Sequence, residues 1–246
     1  MIAQMRSEWI KFRTVRSTVV LTILAVVLAA GVAVLAGFLT DGTLRIDDCL
    51  GGVQVASLLI LVLGVQIVGQ EYRFATIRPT FSATPRRGRV ILAKLLVLCI
   101  TTAVAAVLLM ALSVLCAFLV TEVHGNRLDL AARGTNRVLV GTVVVLVIHA
   151  IIGFGVGCIV RQPIAGIVIV LVWVTVVEGI LIGLLPDYVR WFPIAAMANV
   201  NALVIDHDRG PDALHFFGPV VGALYSASVG LVLVAIGWLR IRTSDA

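Results

Sequence analysis

Two ionisable side chains, His149 and Glu178, stand inside long apolar stretches of this 246-residue chain. Burying an ionisable group in hydrocarbon is costly, so such residues mark proton relays, ion paths or substrate contacts. Counted from the ends of their segments, the two differ in depth by roughly 4–5 Å at about 1.5 Å per residue, so they could pair. Facing a cavity, a His–Glu pair would bind substrate or relay protons; packed between adjacent helices, it would be a polar clasp and nothing more. A second set, Asp206, His207, Asp208, Asp212 and His215, offers carboxylate and imidazole ligands. It lacks zinc-type spacing and reads as a solvated acidic loop, so no metal site is assigned.

Other chemistry is excluded by what the residues are next to. The glycine run GFGVG (153–157) has no preceding strand and lies in an apolar segment; Gly153 and Gly157 form a GxxxG step suited to close helix packing. A phosphate-binding loop needs Gly-Lys-Ser/Thr. The only two lysines, Lys11 after Ile10 and Lys94 after Ala93, do not supply it. There is no Gly-x-Ser-x-Gly elbow and no His-Glu-x-x-His. The cysteines, Cys49, Cys99, Cys116 and Cys158, are isolated, without C-x-x-C spacing. The chain is therefore expected to be no enzyme, with no catalytic or cofactor-binding residue of its own.

The elements that carry these residues follow from composition. With 61% hydrophobic and 13% charged residues, too little polar surface exists to coat a soluble globule. A spanning helix needs about 20 mostly apolar residues, and six segments qualify, at about 18–39, 52–70, 95–120, 138–160, 164–185 and 219–239. Period-2 alternation is absent, which disfavours a barrel. The expected fold is an all-α integral membrane protein with six spans in one transmembrane domain covering 1–246. The first apolar run is too long for a signal-peptide core and reads as an uncleaved span.

Lys and Arg set the orientation, since positive flanks stay in the cytoplasm. With the N-terminus inside, the cytoplasmic pieces hold thirteen Lys and Arg against three acids, and the external pieces six Arg against nine acids. Both termini are thus expected in the cytoplasm, and the net charge of +6 reflects topology and anionic lipid, with no need of nucleic acid. Ile2, Met5, Trp9 and Phe12 recur at steps of three and four before the first span, the pattern of an amphipathic interfacial helix over 1–17. The segment 186–218 contains a 14-residue apolar patch, 192–205, too short to span and read as external and re-entrant.

Residues 71–94, EYRFATIRPTFSATPRRGRVILAK, form a basic island between two apolar runs with six of the nineteen Lys and Arg. Positive charge alone would serve to retain the loop inside. The stretch 71–78 is also long enough for two helical turns ending before Pro79, and 85–94 reads as a basic turn entering the third span.

Taken together, SEWIKFRTVRS (7–17), EYRFATIR (71–78), ATPRRGRV (83–90), the Ala93–Lys94 step, GFGVGCIVRQPIAG (153–166) and the lone Glu178 resemble the type-2 permease subunits of ABC exporters, in the form common among actinobacteria. The resemblance runs over most of the chain. It implies a six-span subunit of the bacterial plasma membrane that pairs with a second permease copy or a related permease around a translocation path. It also implies a coupling helix in the first cytoplasmic loop, matched by Glu71, Tyr72, Arg73, Thr76 and Arg78, docking on a separate ATPase subunit that holds ATP and Mg. Pro79, Pro163 and Gly179 depart from the family pattern. The alternative is a proton-coupled secondary transporter using Glu178 and His149; six spans without evident repeats or broken helices argue against it. Nothing in the sequence selects a substrate.

Overall fold

The computed structural model describes residues 2–40, 42–76, 87–124, 126–131, 134–202 and 216–243. Six helices are long and apolar enough to cross a membrane, and the chain is an all-α, multi-pass membrane protein. They are α2 (Arg16–Leu39), α4 (Val53–Arg73), α5 (Arg87–His124), α6 (Thr135–Val160), α7 (Pro163–Leu184) and α8 (Pro219–Thr243), the first to sixth spans. A further helix, α1 (Ile2–Thr14), precedes them, and α3 (Ile46–Cys49) follows the first span. All expected spans are present, with shifted ends.

The shifts matter for the basic island. The second span runs on through Arg73, so Glu71, Tyr72 and Arg73 are its last turn and not the start of a new helix. The chain leaves it through a turn at Phe74 to Thr76, with Ala75 in the left-handed region at φ 55°, a conformation that costs an L-residue roughly 1–2 kcal/mol. The third span begins at Arg87, earlier than expected, so Lys94 sits about two turns inside a 38-residue helix.

The second and fourth spans form the centre, with 61% of each apolar window buried, against 11% for the fifth span and 22% for the first. The GxxxG step accounts for their contact. A Cβ on Gly153 would collide with the Leu61 carbonyl oxygen, and one on Gly157 would come within 2.8 Å of the Val65 oxygen. Only glycine lets the two backbones approach so closely. Leu63, Phe154, Leu146 and Leu98 fill the core around this contact.

Two three-residue strands, β1 (Thr43–Arg45) and β2 (Arg127–Asp129), pair in parallel where the first and third spans end. They are the only strands among the described residues. The Asn126 side chain stitches the joint, accepting from the Gly42 N–H and donating to the Thr40 carbonyl.

The face that α1 turns to the bundle differs from the expected apolar stripe. Glu8 is buried and Lys11 and Phe12 half-buried, at steps of three and four, whereas Trp9 and Ile10 are exposed. Glu8 and Lys11 therefore pack inward together with Phe12, which meets the hydrophobic core, while Trp9 and Ile10 stay exposed.

Candidate functional site

The polar inward face of α1 meets two other charged residues. Lys94 of the third span, only 4% exposed, donates to Glu8 Oε2 at 2.5 Å and to Glu71 Oε1 at 2.6 Å. Lys11 donates to Glu8 Oε1 and Glu71 Oε1, both at 2.9 Å. Two acids and the chain's only two lysines thus close a ring whose charges cancel, joining α1, the end of the second span and the beginning of the third. Burial draws the Lys11 ammonium down, but the Glu71 and Glu8 carboxylates outweigh it and hold Lys11 above its ordinary 10.5. The second span gains another tie, Gln70 Nε2 donating to Ser17 Oγ at 2.6 Å.

This ring redistributes the residues expected to contact a partner. Glu71 faces inward and is consumed by the lysines. Tyr72 is half-buried, with the Arg161 guanidinium 5.5 Å from its ring centre. Arg73 and Thr76 are exposed, as is Phe74, 66% exposed with the Arg73 guanidinium over its ring. Arg78 lies outside the described residues. Sequence reasoning missed Glu8, Lys11 and Lys94 as a group and treated all but Glu8 as orientation charge. Acids at the end of the bundle where basic residues dominate, and a lysine within an apolar run, were the signals that pointed to them.

His149 and Glu178 line one cavity of about 390 Å³, together with Gln54, Ser57 and Asn201. Among the described residues no hydrogen bond or ion pair joins them; Glu178 is bonded to Trp173, Ile194 and Ala195, and His149 to the Val145 carbonyl. Glu178 Oε1 accepts from Trp173 Nε1 at 2.9 Å and from the Ile194 N–H at 3.1 Å, and Oε2 accepts from the Ala195 N–H at 2.9 Å. The carboxylate thereby caps the short 3₁₀ turn Ala195–Met197 in the segment read as re-entrant.

A local irregularity makes that arrangement possible. Residues Trp173–Val177 form a π-turn. In a regular α-helix, positions five apart lie about 140° apart around the axis. The wide turn brings Trp173 and Glu178 to one face, and such turns recur at functional sites.

His149 is 3% exposed. Its Nδ1–H donates to the Val145 carbonyl at 2.8 Å, while Nε2 is buried without a partner. With Nδ1 carrying the proton, Nε2 is left as an acceptor.

Asp206, His207, Asp208, Asp212 and His215, read from the sequence as a solvated acidic loop, lie outside the described residues. Among the described residues no group of three His, Cys, Asp or Glu side chains could hold a metal ion. Compared with protein-family models, curated proteins and solved structures, the chain matches none.

Proposed function

We propose that the chain is the membrane-spanning permease subunit of an ATP-driven ABC exporter, in a bacterial plasma membrane with both termini cytoplasmic. It would form the translocation path with a second permease copy or a related permease, and ATP and Mg would be handled by a separate ATPase subunit. The observation that carries this reading is the four-charge ring of Glu8, Lys11, Glu71 and Lys94. It fastens both helices that flank the first loop to α1, so a force delivered at that loop passes into three helices at once. Docking would fall to the exposed turn, through Arg73, Phe74 and Thr76. Two further features favour the reading: the first and fifth spans leave broad apolar faces uncovered by the chain itself, and Glu178 anchors a capping segment beside the polar cavity.

Proton coupling through Glu178 and His149 finds less support, because three donors occupy the carboxylate and no bond connects it to the imidazole.

The test is to look for an ATPase reading frame beside the gene, then to co-express the two chains and reconstitute them into liposomes. The exporter reading expects the two to co-purify, ATP hydrolysis to respond to the permease, and Phe74→Ala with Arg73→Ala to weaken the complex while membrane insertion is unchanged. Transport that survives ATP depletion and stops when the proton gradient collapses would overturn it.

A further inference from the structure

A groove of about 370 Å³ separates α1 from the third span, lined by Met5, Arg6, Trp9, Val97 and Ile100. Four of these five side chains are apolar, and Trp9 and Ile100 are 43% and 51% exposed, so the groove opens on the outside of the bundle. Arg6 is the exception. It is half-buried, and its guanidinium has no acceptor and no counter-ion among the described residues. None of its nitrogens is closed off, in contrast to Arg161, whose Nε and Nη2 are buried without a partner.

A cation drawn part-way out of water without an anion is unfavourable, and the acid nearest in sequence is already engaged. Glu8, the only acid of α1, is held with Glu71 by Lys11 and Lys94. The missing anion must come from outside the chain. A planar guanidinium suits phosphate, which it holds through two parallel N–H···O bonds.

The apolar walls define the rest of the ligand. Lys94 bonds to Glu8, two residues past Arg6, which places Lys94 at the level of α1. Val97 and Ile100 follow three and six residues later on the third span, about 4.5 and 9 Å deeper at about 1.5 Å per residue. The groove thus runs from a cation at the interfacial helix down an apolar wall into the bilayer. A free anion would leave that wall bare, and an apolar helix would leave Arg6 without a partner. A phospholipid satisfies both. The choice among phospholipids is electrostatic: Arg6 and Arg13 form no ion pair among the described residues, and a zwitterionic head brings its own cation to the phosphate whereas an anionic head does not.

We propose that this groove binds an anionic phospholipid, its phosphate on the Arg6 guanidinium and one acyl chain along Val97 and Ile100. Trp9 stands at the rim, the level at which indole rings settle in membranes. The lipid would add a tie between α1 and the third span whether or not the chain partners an ATPase.

The full chain in phosphatidylcholine nanodiscs tests this. A trace of phosphatidylglycerol, or of phosphatidylcholine, with a photoreactive group midway along the same acyl chain is cross-linked. Labelled residues are mapped by mass spectrometry and normalised to Leu35 and Leu39 at the far end of the first span. Phosphatidylglycerol is expected to label Trp9 and Ile100 about fivefold more than phosphatidylcholine, the gain from one arginine facing an anionic head. Arg6→Gln should abolish the preference, while Arg13→Gln, exposed and outside the groove, should leave it. Ile100→Trp, which fills the groove and changes no charge, should remove the preference at Trp9 and decides the question if Arg6→Gln does not insert. Equal labelling by the two lipids overturns the proposal. So does a preference that survives Arg6→Gln or the filled groove, one that Arg13→Gln removes equally, which would mean a diffuse basic surface, or one that inorganic phosphate suppresses at constant ionic strength, which would mean a site for a free anion.

Discussion

The two polar regions of this bundle handle buried charge in opposite ways. At the α1 end, two carboxylates meet two ammonium groups on three helices, and charge is cancelled by charge. Inside the span region, Glu178 has no cation among its partners; an indole N–H and two backbone N–H groups stabilise it through dipoles. Removing one member of a charge ring strands the others, whereas removing a dipole leaves the acid with the rest. The first arrangement makes a rigid joint, and the second a point attachment for one short segment.

The sharpest way to break the contrast is Lys94→Met. It leaves Glu8 and Glu71 facing each other with only Lys11 between them, and a broken buried ion pair costs about 3–5 kcal/mol. Unfolding of the purified chain in detergent should show this loss, and adding Glu71→Gln should restore part of it. No recovery in the double variant would mean that the ring does not act as a unit.

Glu178→Gln comes next. An amide accepts through one oxygen only, so the Ala195 N–H loses its partner, at about 1.5–3 kcal/mol for a bond to a charged group. Hydrogen exchange should rise at Ile194 and Ala195 while the α1 end stays protected. Exchange rising evenly through the bundle would contradict a point attachment.

His149→Phe is expected to change stability by less than about 1 kcal/mol, because losing the Val145 bond is offset by removing the unpartnered Nε2. A larger loss would assign the imidazole a partner within the cavity.

The smallest effect concerns pH. The folded-state value of Lys11 lies above its ordinary 10.5, so its contribution is fully present below pH 10.5 and is lost as pH rises through the higher folded value. Melting should not move between pH 7 and 9 on its account, and α1 should loosen only in stronger alkali. Release of α1 near neutral pH would rule Lys11 out as a structural cation.

Much of the architecture is legible in the residues themselves. Six apolar runs give six spanning helices, and the glycines at 153 and 157 mark the close contact between the second and fourth. The site residues were harder to place. The family resemblance places Glu71 on a docking helix, yet it faces Lys11 and Lys94. Trp173 carries no signal at all, since its approach to Glu178 depends on a π-turn that an even apolar run does not announce.

Span number and helical class were determined by the sequence alone, because hydrocarbon thickness and the need to satisfy backbone hydrogen bonds act on each segment separately. Which charges are paired was decided only by the tertiary structure. Glu8 and Lys94 are 86 residues apart, and Glu178 binds a backbone 16 and 17 residues further on. Such partners exist only once helices have packed, since a desolvated charge must take the donor or counter-charge that packing brings within reach.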